Sequence, residues 1–358
     1  MPRTYNKGEW GELYTAVKIL NDRKIPVADI RLNSRNEFIN VLRLFLLSVY
    51  GEAAYDITEP RIALFIDGKL KKQLSLNPAD TKTLLSEIQN GSGHSFSIPI
   101  ADKIMSDLEL DAVKANATIK ADIVMEADIP YVNDSGAFFR SGAKKQGFTI
   151  KSMIGAKPTL LNTSQATNFV FKLDNFSGDA EEINEIDGTA KIMKRVEVVR
   201  NNGGKFVYSD MADETFKQNL RLIDYNLPEI VAQLLFVYYT TSGKSDLPSL
   251  VKQVLPLLSF GTTEKEVEYK IKEFICAIAL GMMPTTLWDG KEINGGCIIA
   301  KNDGDLVCFT LLDKDAFKDY LYRNIKFDSP SSSRHNYGSI YEKYGEQFMN
   351  LNIQLRFL

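Results

Sequence analysis

Apolar positions near the start of the chain recur at helical spacing. Trp10, Leu13, Tyr14, Val17 and Leu20 repeat every three to four residues and predict an amphipathic helix. Residues 37–50 carry a second apolar-periodic run and predict a second helix. Residues 61–76 read differently, because two apolar runs flank Asp67-Gly68, a hairpin signature. Residues 95–99 alternate and predict a short strand. Residues 118–125 and 147–153 are apolar runs of strand length. Residues 159–173 open as a polar turn and continue as a short element. From Met211 onward the pattern is mainly helical, most clearly over 214–223, 227–240, 264–280 and 315–324. Residues 297–300 and 306–311 flank Asn302-Asp303-Gly304, a second hairpin signal. Residues 330–333 read as a loop and 350–357 as a final strand. The pattern predicts an α+β fold: a mixed β-sheet flanked by helices, then a largely helical C-terminal half. Asn202-Gly203-Gly204 is the boundary signal. It separates 1–200, with the N-terminal helix and the central strands, from 201–358, with the helices, the late hairpin and a C-terminal loop. A single domain is the alternative.

Composition narrows the chemistry. The chain has 358 residues, 44% hydrophobic and 25% charged, ordinary for one large or two moderate globular domains. No apolar run is long enough to span a membrane, and the first residues lack a signal-peptide core, so a cytoplasmic protein is expected. The three cysteines, Cys276, Cys297 and Cys308, are irregularly spaced and fit reduced thiols. Only two histidines, His94 and His335, are present, too few for a His-rich zinc site. Any metal must rest on oxygen ligands, which points to Mg²⁺, with Mn²⁺ as a substitute. The net charge of −3 does not announce a nucleic-acid binder. The charge is uneven, however. Arg140, Lys144, Lys145, Lys151 and Lys157 follow one another with no intervening Asp or Glu. Such a run is either a solvated loop or a strip facing phosphates.

The candidate chemistry lies in the same region. Lys120-Ala-Asp122-Ile-Val places an Asp at the end of one apolar run. Gly147-Phe-Thr-Ile-Lys151-Ser152 places a Lys inside the next. Two-strand nuclease cores of the PD-(D/E)XK type use an Asp and then an acid-x-Lys on the adjacent strand, the acids holding a divalent cation. Here the acid position is Thr149, which is neutral. Another carboxylate must supply the charge, or the site is silent. Glu9 and Glu12 lie three apart on one face of the first helix, and either is a candidate, or else both are helix-start acids favoured by the dipole. The Ile150 carbonyl is a further oxygen ligand by strand geometry. The segment after Lys151 is dense in hydroxyls and amides. Asn162, Ser164, Thr167 and Asn168 are candidates for the DNA backbone, or else plain turn and capping residues. In the tail, Ser331, Ser333, Arg334, His335 and Asn336 form either a surface loop or a base-reading one, Arg334 being suited to guanine O6 and N7. Ser242-Gly243-Lys244-Ser245 imitates a phosphate loop, but the upstream glycine position is Tyr238, which excludes an NTPase reading.

Together these segments resemble the HpaII-like family of type II restriction endonucleases, nearly end to end. The resemblance is carried by Asn6-Lys7-Gly8-Glu9-Trp10-Gly11-Glu12-Leu13-Tyr14 and by the Gly147–Ser152 motif with Gly155, Thr159-Leu-Leu-Asn162 and Thr167-Asn168-Phe169. It continues through Gly281-Met282, Trp288 and Gly295-Gly296, and ends in Ser331 to His335 and Leu351-Asn352-Ile353-Gln354-Leu355-Arg356-Phe357. It implies a magnesium-dependent enzyme that cuts double-stranded DNA at a short palindrome, CCGG being expected, beside a protective methyltransferase. It implies catalytic roles for Asp122 and Lys151, a small hydroxyl residue at Thr149, and a site role for Glu9 or Glu12, Glu12 being preferred. The roles of Arg334 and His335 come from base-readout chemistry alone. A palindromic target fits a two-fold homodimer, or a monomer that nicks each strand in turn. Three other readings compete. They are a silent DNA-binding protein with a decayed core, an interaction protein suited to the negative net charge, and a nuclease of another polarity.

Overall fold

A computed structural model describes residues 2–112, 121–132, 137–241, 245–329 and 331–358. Positions 118–120 of the expected strand, the Ser242-Gly243-Lys244 look-alike and Pro330 lie outside the described residues. The structure is mixed α+β and divides into two compact units. The first comprises Met1–Pro158, Ala279–Gly281 and Glu292–Tyr320. The second comprises Thr159–Ile278, Met282–Lys291 and Leu321–Leu358.

In the first unit the described residues form a nine-stranded sheet. Its order is Lys24–Ala28, Leu306–Thr310, Gly296–Ala300, Lys144–Ser152, Ile123–Asp128, Ser34–Ser48, Gly51–Asp56, Ile62–Ile66 and Lys69–Leu74. Lys24–Ala28 also pairs with Ser34–Ser48, so the first six strands close into a ring of pairings. Lys144–Ser152 is central. It runs antiparallel to Ile123–Asp128 and parallel to Gly296–Ala300, with Phe148 opposite both Ile123 and Gly296. The two hairpins expected around Asp67-Gly68 and Asn302-Asp303-Gly304 are present.

The first helix, Lys7–Asp22, forms where the apolar spacing predicts it. Its start is set by a capping box. Asn6 accepts from the Gly8 and Glu9 amides, and the Glu9 carboxylate accepts from the Asn6 amide at 3.0 Å. Trp10, Leu13, Tyr14, Val17 and Leu20 are buried in one continuous core with Phe148 and Ile150. Gly11 lets the helix approach the central strand. A Cβ there would lie 2.2 Å from Ser152 Oγ and 2.3 Å from Ser152 Cβ.

Residues 37–50 are not a helix. Residues 37–48 belong to the long strand Ser34–Ser48, and 49–50 to the turn after it. Ile39 and Val41 are buried, then Leu44, Leu46 and Ser48. The period of two slips by one residue between Val41 and Arg43, where the pairing with Ile123–Asp128 is irregular. That slip places the buried apolar residues Val41 and Leu44 three apart, a helical spacing, on a strand. Residues 95–99 give only a bridge between Phe96 and Tyr5, because Pro99 opens the helix Pro99–Asp107 at a position suited to proline.

The second unit holds an antiparallel sheet in the order Lys205–Met211, Asn168–Asp174, Glu346–Asn352, Ile340–Lys343. A smaller sheet pairs Gln354–Phe357 with Thr159–Leu161 and Ile325–Asp328. The expected final strand is therefore broken at Ile353 into two strands of different sheets. The helix Leu227–Thr240 is buried nearly all round, as its continuous apolar run requires. After residue 201 the chain is helical in its middle and mixed at its ends, since it also contributes these strands and the late hairpin.

Gly11→Ala sets two effects against each other. Alanine gains about 1 kcal/mol of helix propensity, and the clash with Ser152 costs about 1–3 kcal/mol. Contact with both Ser152 side-chain atoms lets the clash win. Thermal melts are expected to show Gly11→Ala destabilised and the Gly11→Ala/Ser152→Gly pair largely restored.

Candidate active site

Asp122 sits one residue before the strand Ile123–Asp128, and its amide donates to the Phe148 carbonyl at 3.0 Å. The carboxylate turns over the edge of the central strand. Its Oδ2 accepts from Thr149 Oγ1 at 2.8 Å and from the Ile150 amide at 2.7 Å. The Ile150 peptide thus presents its N–H to the Asp122 edge. In an extended strand the carbonyl of the same residue projects to that edge too. The partner strand begins at Ile123, opposite Phe148, so no residue of it stands across from Ile150. The Ile150 carbonyl and the Asp122 carboxylate therefore share one edge.

Thr149 and Lys151 lie on one face of the central strand, and Phe148, Ile150 and Ser152 on the other. The first helix touches this strand where Gly11 meets Ser152. The helix therefore packs on the face that carries Phe148, Ile150 and Ser152, with Glu12 the residue after the Gly11 contact. One Glu12 carboxylate oxygen, Oε2, is buried. The two helix acids differ in their surroundings, since Glu9 is engaged in the capping box.

Among the described residues, no three His, Cys, Asp or Glu side chains are gathered as a metal cage. Magnesium is commonly held by one or two carboxylates, with water and substrate phosphate completing its shell. Asp122, Glu12 and the Ile150 carbonyl are hard oxygen donors of that kind.

The basic run does not form one strip. Arg140 is ion-paired with Asp128 and also donates to the Phe38 carbonyl. Lys145 pairs with Glu52 at 2.9 Å and lies 3.9 Å over the Phe45 ring. Lys144 is exposed opposite Ala127. It lies about 23 Å along the strand from Lys151, at about 3.3 Å per residue. Lys157 is exposed in the loop beyond the strand.

The hydroxyl and amide segment divides as well. Asn162 is exposed, whereas Thr167 and Asn168 are 0% and 3% exposed and are not free to meet a phosphate. They belong to a buried network in the second unit. Thr167 Oγ1 bonds the Ser164 carbonyl and Asn352 Oδ1, and Asn352 Nδ2 donates to the Ser164 carbonyl at 2.8 Å and to Asn168 Oδ1 at 2.5 Å. Asn168 Nδ2 then donates to the His335 carbonyl at 3.0 Å. Their role is to hold the tail segment.

That segment is a short helix, Ser332–His335, rather than a plain loop. Ser331, Ser333, Arg334 and Asn336 are exposed and His335 is half-buried. Asn336 takes a left-handed backbone that ends the turn. Sequence reasoning missed two residues that anchor it. One is Asn352, fully buried within a strand. The other is Arg195, whose guanidinium donates to the carbonyls of Asn184, Ile186 and Gly338 and to Ser339 Oγ at 2.9 Å. Burial pulls the Arg195 pKa below its usual value, partly offset by Asp187. An Asn inside an apolar strand was the visible signal for Asn352. Arg195 had none.

An aspartate just before one strand and a lysine on the face of its neighbour suit the hydrolysis of phosphodiesters. The comparisons with known proteins agree. The family model described as HpaII restriction endonuclease matches residues 6–357. The chain is 34% identical over 362 residues to the type II restriction enzyme HpaII of Haemophilus parainfluenzae, covering 99% of this chain and 98% of that protein. No solved structure matches. The chain belongs to the HpaII restriction endonuclease family, type II enzymes that cut DNA.

Asn352→Leu keeps the volume of the side chain and removes the centre of the buried network. Each stranded buried polar partner costs about 1–3 kcal/mol. Urea unfolding is expected to show a loss of at least about 2 kcal/mol, and limited proteolysis to open the chain near Arg334.

Proposed function

We propose that this enzyme is a magnesium-dependent endonuclease of a restriction–modification system. It cuts both strands of DNA at a short palindrome, with CCGG the expected target. The observation that carries the reading is the Asp122 carboxylate, held at the strand edge by Thr149 and Ile150, two residues from Lys151 on the same strand face as Thr149. A PD-(D/E)XK-type core is the corresponding fold reading, supported by the pairing of the two strands.

Asp122, Glu12 and the Ile150 carbonyl would hold Mg²⁺, which when bound neutralises charge at the scissile phosphate and acidifies water there. Lys151 places a cation beside the phosphate. It stabilises the negative charge that builds up as water attacks in line, or orients that water. Thr149, being neutral, leaves the acid position to Glu12. The ends produced are 5′-phosphate and 3′-hydroxyl. Arg334, His335 and Asn336 contact base edges, and Ser331 and Ser333 the backbone. A methyltransferase of the same specificity protects the host DNA. A second reading, a silent sequence-specific binder, is favoured by the neutral residue at position 149.

The enzyme is expected to give discrete fragments with Mg²⁺ and none with EDTA, with sequenced ends mapping to CCGG. Tight duplex binding without cutting would select the silent binder. Asp122→Ala and Lys151→Ala should each abolish cleavage, by roughly a thousandfold or more for lost transition-state charge stabilisation, while gel shifts show DNA binding retained. Glu9→Gln keeps a capping-box residue and should cut nearly normally, whereas Glu12→Gln should not.

A further inference from the structure

Thr149 stands where an acid would be expected, yet it is not a passive replacement. It is 6% exposed, and its hydroxyl donates to the Asp122 carboxylate at 2.8 Å. The Ile150 amide donates to the same oxygen at 2.7 Å. Two donors on Oδ2, one from a side chain and one from the backbone, fix both the position and the plane of the carboxylate. Oδ1 takes neither bond and is the oxygen left to a cation. We propose that Thr149 is a positioning residue, which orients Asp122 so that Oδ1 meets the divalent cation.

The chemistry explains why a hydroxyl serves here. In the absence of a cation, a second carboxylate at position 149 would place like charges within hydrogen-bond distance and push Asp122 away. A neutral donor instead adds a charge-assisted bond. Asp122 precedes its strand rather than lying within it, so its backbone is held by the Phe148 carbonyl but its side chain is not part of any ladder. Without the Thr149 hydroxyl, one bond to Oδ2 remains, and the carboxylate is free to rotate about it. The inference rests on the reading of Asp122 as a cation ligand.

The test uses the full-length protein without DNA and follows free Mn²⁺ by electron paramagnetic resonance during titration. Thr149→Val removes only the donor and keeps the shape. Its Mn²⁺ affinity is expected to fall about tenfold, the change that follows from one lost bond to a charged group. Thr149→Ser restores the donor and should return within about twofold of the parent enzyme. The Mg²⁺ midpoint of single-turnover cleavage should move in parallel. Asp122→Asn is the control and should lose Mn²⁺ binding. Unchanged Mn²⁺ binding in Thr149→Val, with binding lost in Asp122→Asn, overturns the inference and leaves the active-site reading intact. Equal losses in Thr149→Val and Thr149→Ser overturn it as well, by showing a packing effect. Unchanged binding in Asp122→Asn overturns the active-site reading itself. If Thr149→Val does not fold, Thr149→Ala compared with Thr149→Ser gives the same readout.

Discussion

The two hydrogen bonds on one oxygen of Asp122 organise the candidate site. Each bond to a charged group contributes about 1.5–3 kcal/mol. They exist because the strand Ile123–Asp128 starts opposite Phe148 and leaves the next edge positions of the central strand unpaired with it. The same ending leaves the Ile150 carbonyl without a partner in that strand. A sheet that continued its ladder for two more residues would satisfy Ile150 with backbone and leave no place for the carboxylate. The site is therefore made by where pairing stops.

The first helix depends on the same strand from the other face. Gly11 brings the helix against Ser152 because neither side has bulk to hold them apart. The two helix acids differ in their surroundings: Glu9 closes the capping box, and Glu12, in the following turn, has one carboxylate oxygen buried.

The second unit shows a different kind of constraint. Its buried amides are linked to one another and to backbone carbonyls, so that Asn168, itself held by Asn352, bonds His335 while Arg195 bonds Gly338. Such groups are costly to bury and specify a geometry when satisfied. The consequence is a tail segment that keeps Arg334 and Asn336 exposed on a backbone that is itself tied down.

Much of this was legible along the chain. The spacing of Trp10, Leu13, Tyr14, Val17 and Leu20 predicted the first helix, and Asp67-Gly68 and Asn302-Asp303-Gly304 predicted their hairpins, because these signals are local. Asp122 and Lys151 were visible as charges at strand positions, and oxygen ligation followed from the near absence of histidine. Three things were not legible. A one-residue bulge at residues 41–43 mimicked helical periodicity, since a slipped period of two cannot be told from a helix without the partner strand. Thr167 and Asn168 looked like phosphate contacts, since polarity alone does not distinguish an exposed amide from a buried one. Glu9 and Glu12 were equivalent by sequence and were separated only by what surrounds each. The amino-acid sequence by itself determined most of the local elements and the family, which are local or compositional properties. Folding decided where the pairing beside Asp122 stops, what surrounds each helix acid and which polar residues are buried, because those depend on contacts between residues far apart in the chain.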